Sequence, residues 1–417
     1  GVIDRQRPLP YSLSLPQTTT PAWTTGIITD TAISGMIAQV SQTEVFSLTG
    51  GLSGEWPVTI GGSLYSIQDR YTDGGGSLEM ATEYVSEQFT GFGLAPIFHE
   101  WQASSYSGRN VIGEIIGESR PEDIFLITAH LDAVEGVPGA DDNASGSAAV
   151  LMAAQILSQY NWDCTLRFAS FTGEEQGLLG SRQYAEMASN RGDNILCVLN
   201  LDMIGYDSDD DPAMDLHIRT GYAGDLAIAN LFSDVVAGYK LDLKPEIVGS
   251  GISASDHASF WYYGYPAILA IEDYAFPDRD FNPYYHSTDD DIYKLNLSYF
   301  TNFVKAAVGT FAHMGCLAES YGALTGTITD AATGEPVPGA SIRATNAFGQ
   351  EWTAESDFEG AYEIHLPGGN YSIAAFAQSY SPLYVSDIQV TRALTSTLDI
   401  TILPNRSYLP LVIQPGL

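Results

Sequence analysis

Histidines and carboxylates recur just beyond apolar runs in the first part of this 417-residue sequence. His130 and Asp132 follow the run DIFLITA (123–129). Asp141 and Asp142 come after a loop that contains glycine and proline. Four further candidates lie later in the chain: Glu174, Glu175, Asp202 and His286. Imidazole and carboxylate groups are the ligands that a pair of divalent metal ions takes in hydrolytic enzymes, so these residue types predict a metal centre.

Each of these residues, taken singly, has a simpler explanation. A lone histidine after a strand is commonly structural, and Asp-Asp in a Gly/Pro loop commonly forms a turn. Together they favour the metal site, because burying uncompensated carboxylates is costly unless a cation or a proton joins them. Two other acidic clusters are interpreted as solvated loops: 207–211, where Pro212 replaces the glycine that a calcium loop needs, and 289–291.

A hydrolytic two-metal site assigns distinct roles to its residues. It needs a carboxylate shared by both ions, terminal ligands on each ion, and a base that is not itself a ligand. The adjacent Glu174 and Glu175 can divide this work, one binding metal and the other facing the attacking water. Asp132, two residues beyond His130, is placed to orient the imidazole.

Alternating strands and helices must position these groups. The runs of strand length are NVIGEII (110–116), DIFLITA (123–129), CTLRFASF (164–171), ILCVLNLDMI (195–204) and PAILAI (266–271). Helical spacing follows at 147–159, 177–188 and 225–239. This pattern predicts an α/β domain with a mixed, mostly parallel central sheet and helices on both faces. Ligands of such sheets lie at the carboxyl ends of the strands, where the candidate residues fall.

Composition divides the chain into four segments. Residues 1–30, rich in Pro and Thr, predict an extended arm, and 31–318 predict the α/β domain, closed by a helix over 296–313. Two helix starts are predicted, by an N-cap at Asp30 and by a capping box that begins at Ser41; 50–78 are interpreted as irregular. Short alternating runs with Gly/Pro turns over 322–403 predict a small antiparallel β-sandwich. Residues 404–417 predict a last strand or an attachment segment.

Charge and cysteine content limit the partners of the protein. A net charge of −34 disfavours binding to nucleic acid and to anionic membranes. No apolar run reaches the length of a membrane span. Cys164 and Cys197 are interpreted as small buried residues, with a pairing between them left open. The composition and the β-rich module predict a secreted, monomeric protein, with association with the cell surface as an alternative.

Six motifs resemble those of the two-zinc exopeptidases. This family includes the secreted bacterial leucine-type aminopeptidases and is related to glutamate carboxypeptidase and glutaminyl cyclase. The motifs occur in the family's order: AHLD (129–132), PGADDNASG (138–146), FTGEEQGLLGS (171–181), NLDMIGY (200–206), SDHASF (255–260) and NPYYHSTDD (282–290). Residues 322–403 are similar to the carboxypeptidase-regulatory-like domain.

The resemblance implies two zinc ions, peptide or protein N-termini as substrates, and a role for each site residue. One ion would be bound by His130, Asp141 and Asp202, and the other by Asp141, Glu175 and His286. Asp141 would be the bridge, with a cis peptide after it, and Glu174 the general base. Tyr285 matches a tyrosine that hydrogen-bonds the developing oxyanion, an ordinary aromatic wall being the alternative. His257 is expected to shape the substrate pocket.

Three other functions compete with an aminopeptidase. A carboxypeptidase would need cationic groups for the substrate carboxylate, and these are sparse near the motifs. A glutaminyl-cyclase-like enzyme would use one zinc ion, whereas both ligand sets are present here. A non-catalytic protein that binds surfaces through its β-sandwich would not need the intact ligand set.

Overall fold

A computed structural model describes most of the chain. The described residues are 27, 29–73, 76–103, 105–209, 211–274, 279–314, 316–317, 321–346, 351–391 and 394–405. The predicted arm, apart from its last few residues, and the predicted tail from residue 406 onward lie outside them. The chain divides into two compact units, and the division falls between Leu317 and Tyr321.

The first two helices begin at the side-chain caps that the sequence predicts. Asp30 accepts hydrogen bonds from the backbone N–H groups of Ala32 and Ile33, and Ser41 accepts one from Glu44. The helices are α1 (Thr31–Ala38), α2 (Gln42–Leu52), α3 (Ser77–Gly91), α4 (Gly146–Leu157), α5 (Leu179–Arg191), α6 (Ala223–Gly238), α7 (His257–Tyr262) and α8 (Leu297–Met314). No helix among the described residues combines the length and the apolar character that crossing a membrane requires.

Among the described residues, eight strands form the central sheet of this unit, and β1 (Val58–Ile60) and β2 (Ser63–Tyr65) form a separate hairpin. The sheet has the order β3-β4-β6-β5-β7-β10-β8-β9. Its strands are β3 (Ile97–Ala103), β4 (Tyr106–Ile115), β5 (Arg120–His130), β6 (Cys164–Phe171), β7 (Asn194–Leu201), β8 (Ala213–His217), β9 (Lys244–Val248) and β10 (Ala267–Glu272). The central strands β6, β5, β7 and β10 are parallel, which confirms the mixed, mostly parallel sheet.

Helices cover both faces of the sheet, as predicted. Two residues of β6 that are three positions apart show this directly, because side chains alternate between the two faces of a strand. Phe168 packs against Phe311 of α8, with ring centroids 5.8 Å apart, and Phe171 packs against Phe260 of α7 at 6.0 Å. The four central strands are therefore buried on both sides, which explains their continuous apolar sequences.

Several outer elements were not predicted. The stretch 50–78, interpreted as irregular, contains the end of α2 and the β1–β2 hairpin. Strands β3, β8 and β9 also escaped prediction. Strand β9 lies at the edge of the sheet, carries Pro245 and is largely exposed, so it has no continuous apolar run.

The second unit is a β-sandwich. One sheet contains β14 (Ala361–Pro367), β11 (Tyr321–Asp330), β17 (Thr395–Thr397) and β18 (Ile400–Ile402); the other contains β13 (Glu351–Glu355), β12 (Ser341–Asn346), β15 (Gly369–Phe376) and β16 (Leu383–Val390). Residues from both sheets share one core, for example Leu324, Ile342 and Ile373. The pairings are antiparallel except those of β17 and β18 with β11, so the predicted antiparallel sandwich has two short parallel pairings.

A disulfide bond joins the beginning of β6 to the segment after α8. Cys164 pairs with Cys316, and Cys197 is a buried free thiol. The possible pairing of Cys164 with Cys197 was therefore wrong. The Cys197 thiol lies beside the Met314 sulfur in the core and forms no disulfide.

Removing the bridge should cost more stability than removing the free thiol. We expect Cys316→Ala to lower the free energy of unfolding by about 2–4 kcal/mol, because it releases a constraint on a long loop of the unfolded chain. The matched Cys197→Ala should cost about 1 kcal/mol. Urea unfolding without reductant measures both. Equal losses for the two variants would contradict the assigned pairing.

Candidate metal centre

The carboxyl ends of three neighbouring strands carry most of the candidate residues. His130 is the last residue of β5, Asp202 directly follows β7, and Glu174 and Glu175 follow β6 after a short turn. Because β6, β5 and β7 are adjacent and parallel, these ends meet at one edge of the sheet. His286 arrives from the segment between β10 and α8, with a φ of 57°, in the left-handed region that non-glycine residues rarely adopt.

Two clusters of potential ligands form at this edge. In the first, His130 Nε2 lies 3.2 Å from Asp142 Oδ1 and 3.2 Å from Asp202 Oδ1. In the second, His286 Nε2 lies 3.0 Å from Asp142 Oδ2 and 3.2 Å from Glu175 Oε1. Within each cluster the donor atoms lie within 4.8 Å of one another. The two oxygens of Asp142 thus face two different histidines, as a shared carboxylate requires.

Asp141 belongs to neither cluster, which differs from the assignment implied by the motifs. Its Oδ1 accepts a hydrogen bond from the N–H of Gly205 at 2.9 Å, and its Oδ2 accepts one from Asn282 Nδ2 at 2.9 Å. The cis peptide is likewise one residue later than expected, between Asp142 and Asn143. Consecutive side chains of this loop point to opposite sides, so Asp142 takes the place that the sequence analysis gave to Asp141.

Asp132 supports the site in a different way from the one predicted. The closer contact of His130 Nδ1 is the Asp132 carbonyl oxygen, at 3.0 Å, whereas the carboxylate oxygen Oδ1 is 3.8 Å away. The carboxylate instead accepts hydrogen bonds from the backbone N–H groups of Glu174 and Glu175, each at 3.2 Å, and from the Thr72 hydroxyl at 3.1 Å. Asp132 therefore holds the histidine with its backbone and both glutamates with its side chain.

Asp290 is a supporting residue that the sequence analysis missed. Its carboxylate accepts hydrogen bonds from the N–H groups of Asp141 and Asp142, each at 3.1 Å. The interpretation of 289–291 as a solvated loop is wrong for Asp290, which is fully buried. Its position at the end of the NPYYHSTDD motif was the available signal. The other acidic cluster, with Asp207, Asp209 and Asp280, is partly to fully exposed.

The electrostatics of the two clusters favour the binding of cations. Against the opposing effect of burial, Asp202 and Asp142 raise the pKa of His130 well above its usual value. Against the same effect, Asp142 and Glu175 raise the pKa of His286 to about 9. Burial and the charge of Asp142 raise the pKa of Glu175 to about 7. In the metal-free protein, protons therefore occupy positions that divalent ions would take.

Stabilisation by metal should grow with pH because of these protons. Glu175 keeps its proton to about pH 7 when folded, against about 4.5 when unfolded, so the metal-free fold loses stability as pH rises through that interval. The contribution of His286, complete below about pH 6.5, is lost as pH rises towards 9. We expect the difference in Tm between zinc-loaded and chelated protein to increase from about pH 5.5 to about pH 8.5. Thermal unfolding at these pH values tests this, and a constant difference would contradict it.

Glu174 lies beside the two clusters without belonging to either. It is partly buried, and burial raises its pKa well above its usual value, with neighbouring Glu175 and Asp202 adding to the shift against the field of His130. Its backbone is fixed by the hydrogen bond to Asp132. A carboxyl group with a raised pKa, held beside the potential ligands, is suited to accept and release a proton.

Aromatic side chains flank the second cluster. The Tyr285 ring stacks on the His286 ring, with centroids 3.7 Å apart, and packs against Phe281 at 5.3 Å. His257 is buried and lies 2.9 Å from the Ile252 carbonyl oxygen through Nε2, outside both clusters. The oxyanion role of Tyr285 stays a prediction.

Comparison with known proteins identifies the family of the first unit. Residues 110–310 match the profile of Peptidase family M28. A protein of Arthroderma benhamiae named "Probable leucine aminopeptidase" is 31% identical over 265 residues, which cover 58% of this chain and 68% of that protein. The chain belongs to peptidase family M28. Residues 323–403 of this M28 peptidase match the profile of the carboxypeptidase regulatory-like domain, so both resemblances seen in the motifs are confirmed.

Solved structures share the fold of this M28 peptidase. The LapA aminopeptidase of Legionella pneumophila has a TM-score of 0.57 at 21% identity, covering 68% of this chain and 74% of that one. Glutaminyl cyclase of Porphyromonas gingivalis has a TM-score of 0.54 at 18% identity, covering 66% of this chain and 99% of that one. One fold thus serves proteins with different reactions, and the site has to decide between them.

Proposed function

We propose that this M28 peptidase is an aminopeptidase that hydrolyses the N-terminal peptide bond of peptides and proteins at a centre of two zinc ions. The observation that carries the proposal is the position of Asp142 between His130 and His286. The same carboxylate joins two complete sets of three donors, and Glu174 remains outside both as a free base.

The donor sets suit zinc. His130, Asp142 and Asp202 would hold one ion, and Asp142, Glu175 and His286 the other, because zinc in catalytic sites takes imidazole and carboxylate ligands and keeps a position open. Bound there, the ions would polarise the scissile carbonyl and lower the pKa of water.

Glu174 performs the proton transfers in this proposal. It takes the proton of the attacking water and then gives it to the leaving amine, so the same carboxyl group acts as base and as acid. Its raised pKa suits a group that alternates between the protonated and the ionised form. The hydrogen bonds from the N–H groups of Glu174 and Glu175 to Asp132 keep the base beside the ligands.

An apolar cluster next to the site supports a substrate with an apolar N-terminal side chain. Met203, which follows the ligand Asp202, is buried with Leu269 and Ile271, and four partly buried side chains pack against them: Ile252, Tyr274, Phe281 and Tyr285. The cationic substrate amine would be attracted by the surrounding carboxylates, and the low content of Lys and Arg leaves little to hold a C-terminal carboxylate.

The Cys164–Cys316 bridge supports a location outside the reducing cytoplasm.

A panel of aminoacyl p-nitroanilides, run together with metal analysis, tests the proposed function. We expect the leucyl and methionyl substrates to be hydrolysed faster than the aspartyl one, and zinc near two per chain. Acetyl-leucyl p-nitroanilide is the matched control, because it keeps the side chain and lacks the free amine. Removing the metal with a chelator should abolish turnover, and zinc should restore it. Cleavage of the acetylated substrate, or cyclisation of glutaminyl peptides in place of hydrolysis, would overturn the assignment.

A further inference from the structure

Arg70 is a buried arginine that contacts the loops of the metal centre. Its guanidinium donates four hydrogen bonds, each 2.7 Å long, to carbonyl oxygens of the described chain: Leu52, Leu131, Pro138 and Gly139. The residue is 1% exposed. A buried guanidinium commonly pairs with a carboxylate, whereas these four bonds all go to the backbone.

Three of these four acceptors lie close in the sequence to proposed ligands. Leu131 lies between His130 and Asp132, and Pro138 and Gly139 begin the loop that reaches Asp142. Packing there is close, because a Cβ atom on Gly139 would lie 2.9 Å from Arg70 Nη2 and 2.3 Å from the Asp142 carbonyl oxygen. Arg70 also accepts a hydrogen bond from the Ala133 N–H on its own carbonyl oxygen, at 3.2 Å.

Two side chains of opposite charge, Arg70 and Asp290, hydrogen-bond to the two halves of the loop 138–142. Arg70 takes the carbonyl oxygens of Pro138 and Gly139, and the Asp290 carboxylate takes the N–H groups of Asp141 and Asp142. The backbone is thus held from both sides immediately before the residue whose two oxygens face the two histidines. The guanidinium also places a positive charge near Asp142, Asp132 and Asp290.

We propose that Arg70 is a positioning residue of the metal centre: its guanidinium fixes the loop that carries Asp142 relative to the end of β5 that carries His130. Arg70 precedes the region that matches the family profile, residues 110–310, so an upstream segment completes the site. This inference rests on the proposed function in one respect, because Asp142 is taken as the ligand shared by both ions.

The test compares Arg70→Lys with Arg167→Lys in the full chain. Lysine keeps the charge, but a single ammonium group cannot reach carbonyl oxygens in three separate segments. Arg167 is the control, since it is a partly buried arginine of β6 bonded to Glu114, Tyr184 and Asp193 and to none of the metal loops. Zinc affinity is measured by chelator competition, and Tm is measured for the metal-free and zinc-loaded forms.

We expect Arg70→Lys to weaken zinc binding by about 10- to 100-fold and to reduce the rise in Tm caused by zinc. Arg167→Lys should lower Tm in both forms equally and leave zinc affinity within about twofold of wild type. Should Arg70→Lys also lower both Tm values equally and keep wild-type affinity, Arg70 would be only a packing residue and the inference would be wrong. Failure of the proposed function itself would appear separately, as wild-type protein that binds no zinc.

If Arg70→Lys does not fold, Arg70→Gln provides a second variant, because its amide nitrogen takes the place of Nε, which donates to Leu131. The same two readouts apply, with urea unfolding of the metal-free protein as the check on folding. A folded Arg70→Gln protein with wild-type zinc affinity would overturn the proposal in the same way.

Discussion

Glu174→Gln is expected to lower kcat by about 10²- to 10⁴-fold while the zinc content stays at the wild-type level. Glutamine has nearly the same shape but cannot take the proton of the attacking water. Glu174 belongs to neither cluster of ligands, so the metal should remain bound. The measurements are kcat for a leucyl anilide and metal analysis of the same sample.

The neighbouring residue provides the control for this variant. Glu175 Oε1 lies 3.2 Å from His286 Nε2, so Glu175→Gln should release metal, in contrast to Glu174→Gln. A change in KM alone would mean that Glu174 binds substrate and does not transfer protons. Near-normal turnover by Glu174→Gln would remove Glu174 from the mechanism.

Asp142→Asn should weaken zinc binding by more than about 100-fold, a larger loss than supporting residues of metal sites cause. The variant removes the negative charge that faces both histidines, so both ions lose a ligand. Asp141→Asn is its matched partner, adjacent in the chain and identical in chemistry. Because the Asp141 carboxylate contacts Gly205, Asn282 and Glu272 and belongs to neither cluster, this variant should stay within about tenfold of wild-type affinity.

Chelator competition on the two variants decides which carboxylate is shared. Thermal unfolding of the metal-free proteins separates lost affinity from lost fold, since Asp141 is fully buried and its replacement also has a structural cost. Loss of zinc by Asp141→Asn with retention by Asp142→Asn would restore the assignment made from the motifs.

Most of the central sheet was predictable because burial leaves a direct trace in the sequence. Strands β5, β6, β7 and β10 are covered on both faces and read as continuous apolar runs. The outer strands β3 and β9 have no continuous apolar run, because many of their side chains are exposed to solvent. Their pairing is decided by the sheet they join and not by their own composition.

The residue types of the site were predictable, and the residue that bridges it was not. Polar groups at the ends of apolar strands stand out against their surroundings, as His130 and Asp202 do. The choice between Asp141 and Asp142 depends on backbone torsions, and Asp142, with φ −101° and ψ 88°, departs from the helical values around it. Sequence pattern does not encode a local turn of this kind.

Arg70, Asp290 and the Cys164–Cys316 bridge were missed for a different reason. Each depends on a partner far away in the chain: the bridge spans 152 residues, and Asp290 reaches back 148 residues to Asp142. The burial of Arg70 and Asp290 is a property of the assembled fold. In the sequence these two residues stand among glycines and other acidic residues, which suggest exposure.

The hydrogen bonds of Asp132 make the ends of β5 and β6 one energetic unit. The residue holds the His130 ring through its carbonyl oxygen and the backbone of Glu174 and Glu175 through its carboxylate. A substitution at Asp132 therefore already disturbs the position of the base that a substitution at Glu174 would remove. The free-energy effects of the two substitutions should therefore not be additive. The positions of the ligand His130 and of the base Glu174 are coupled through Asp132.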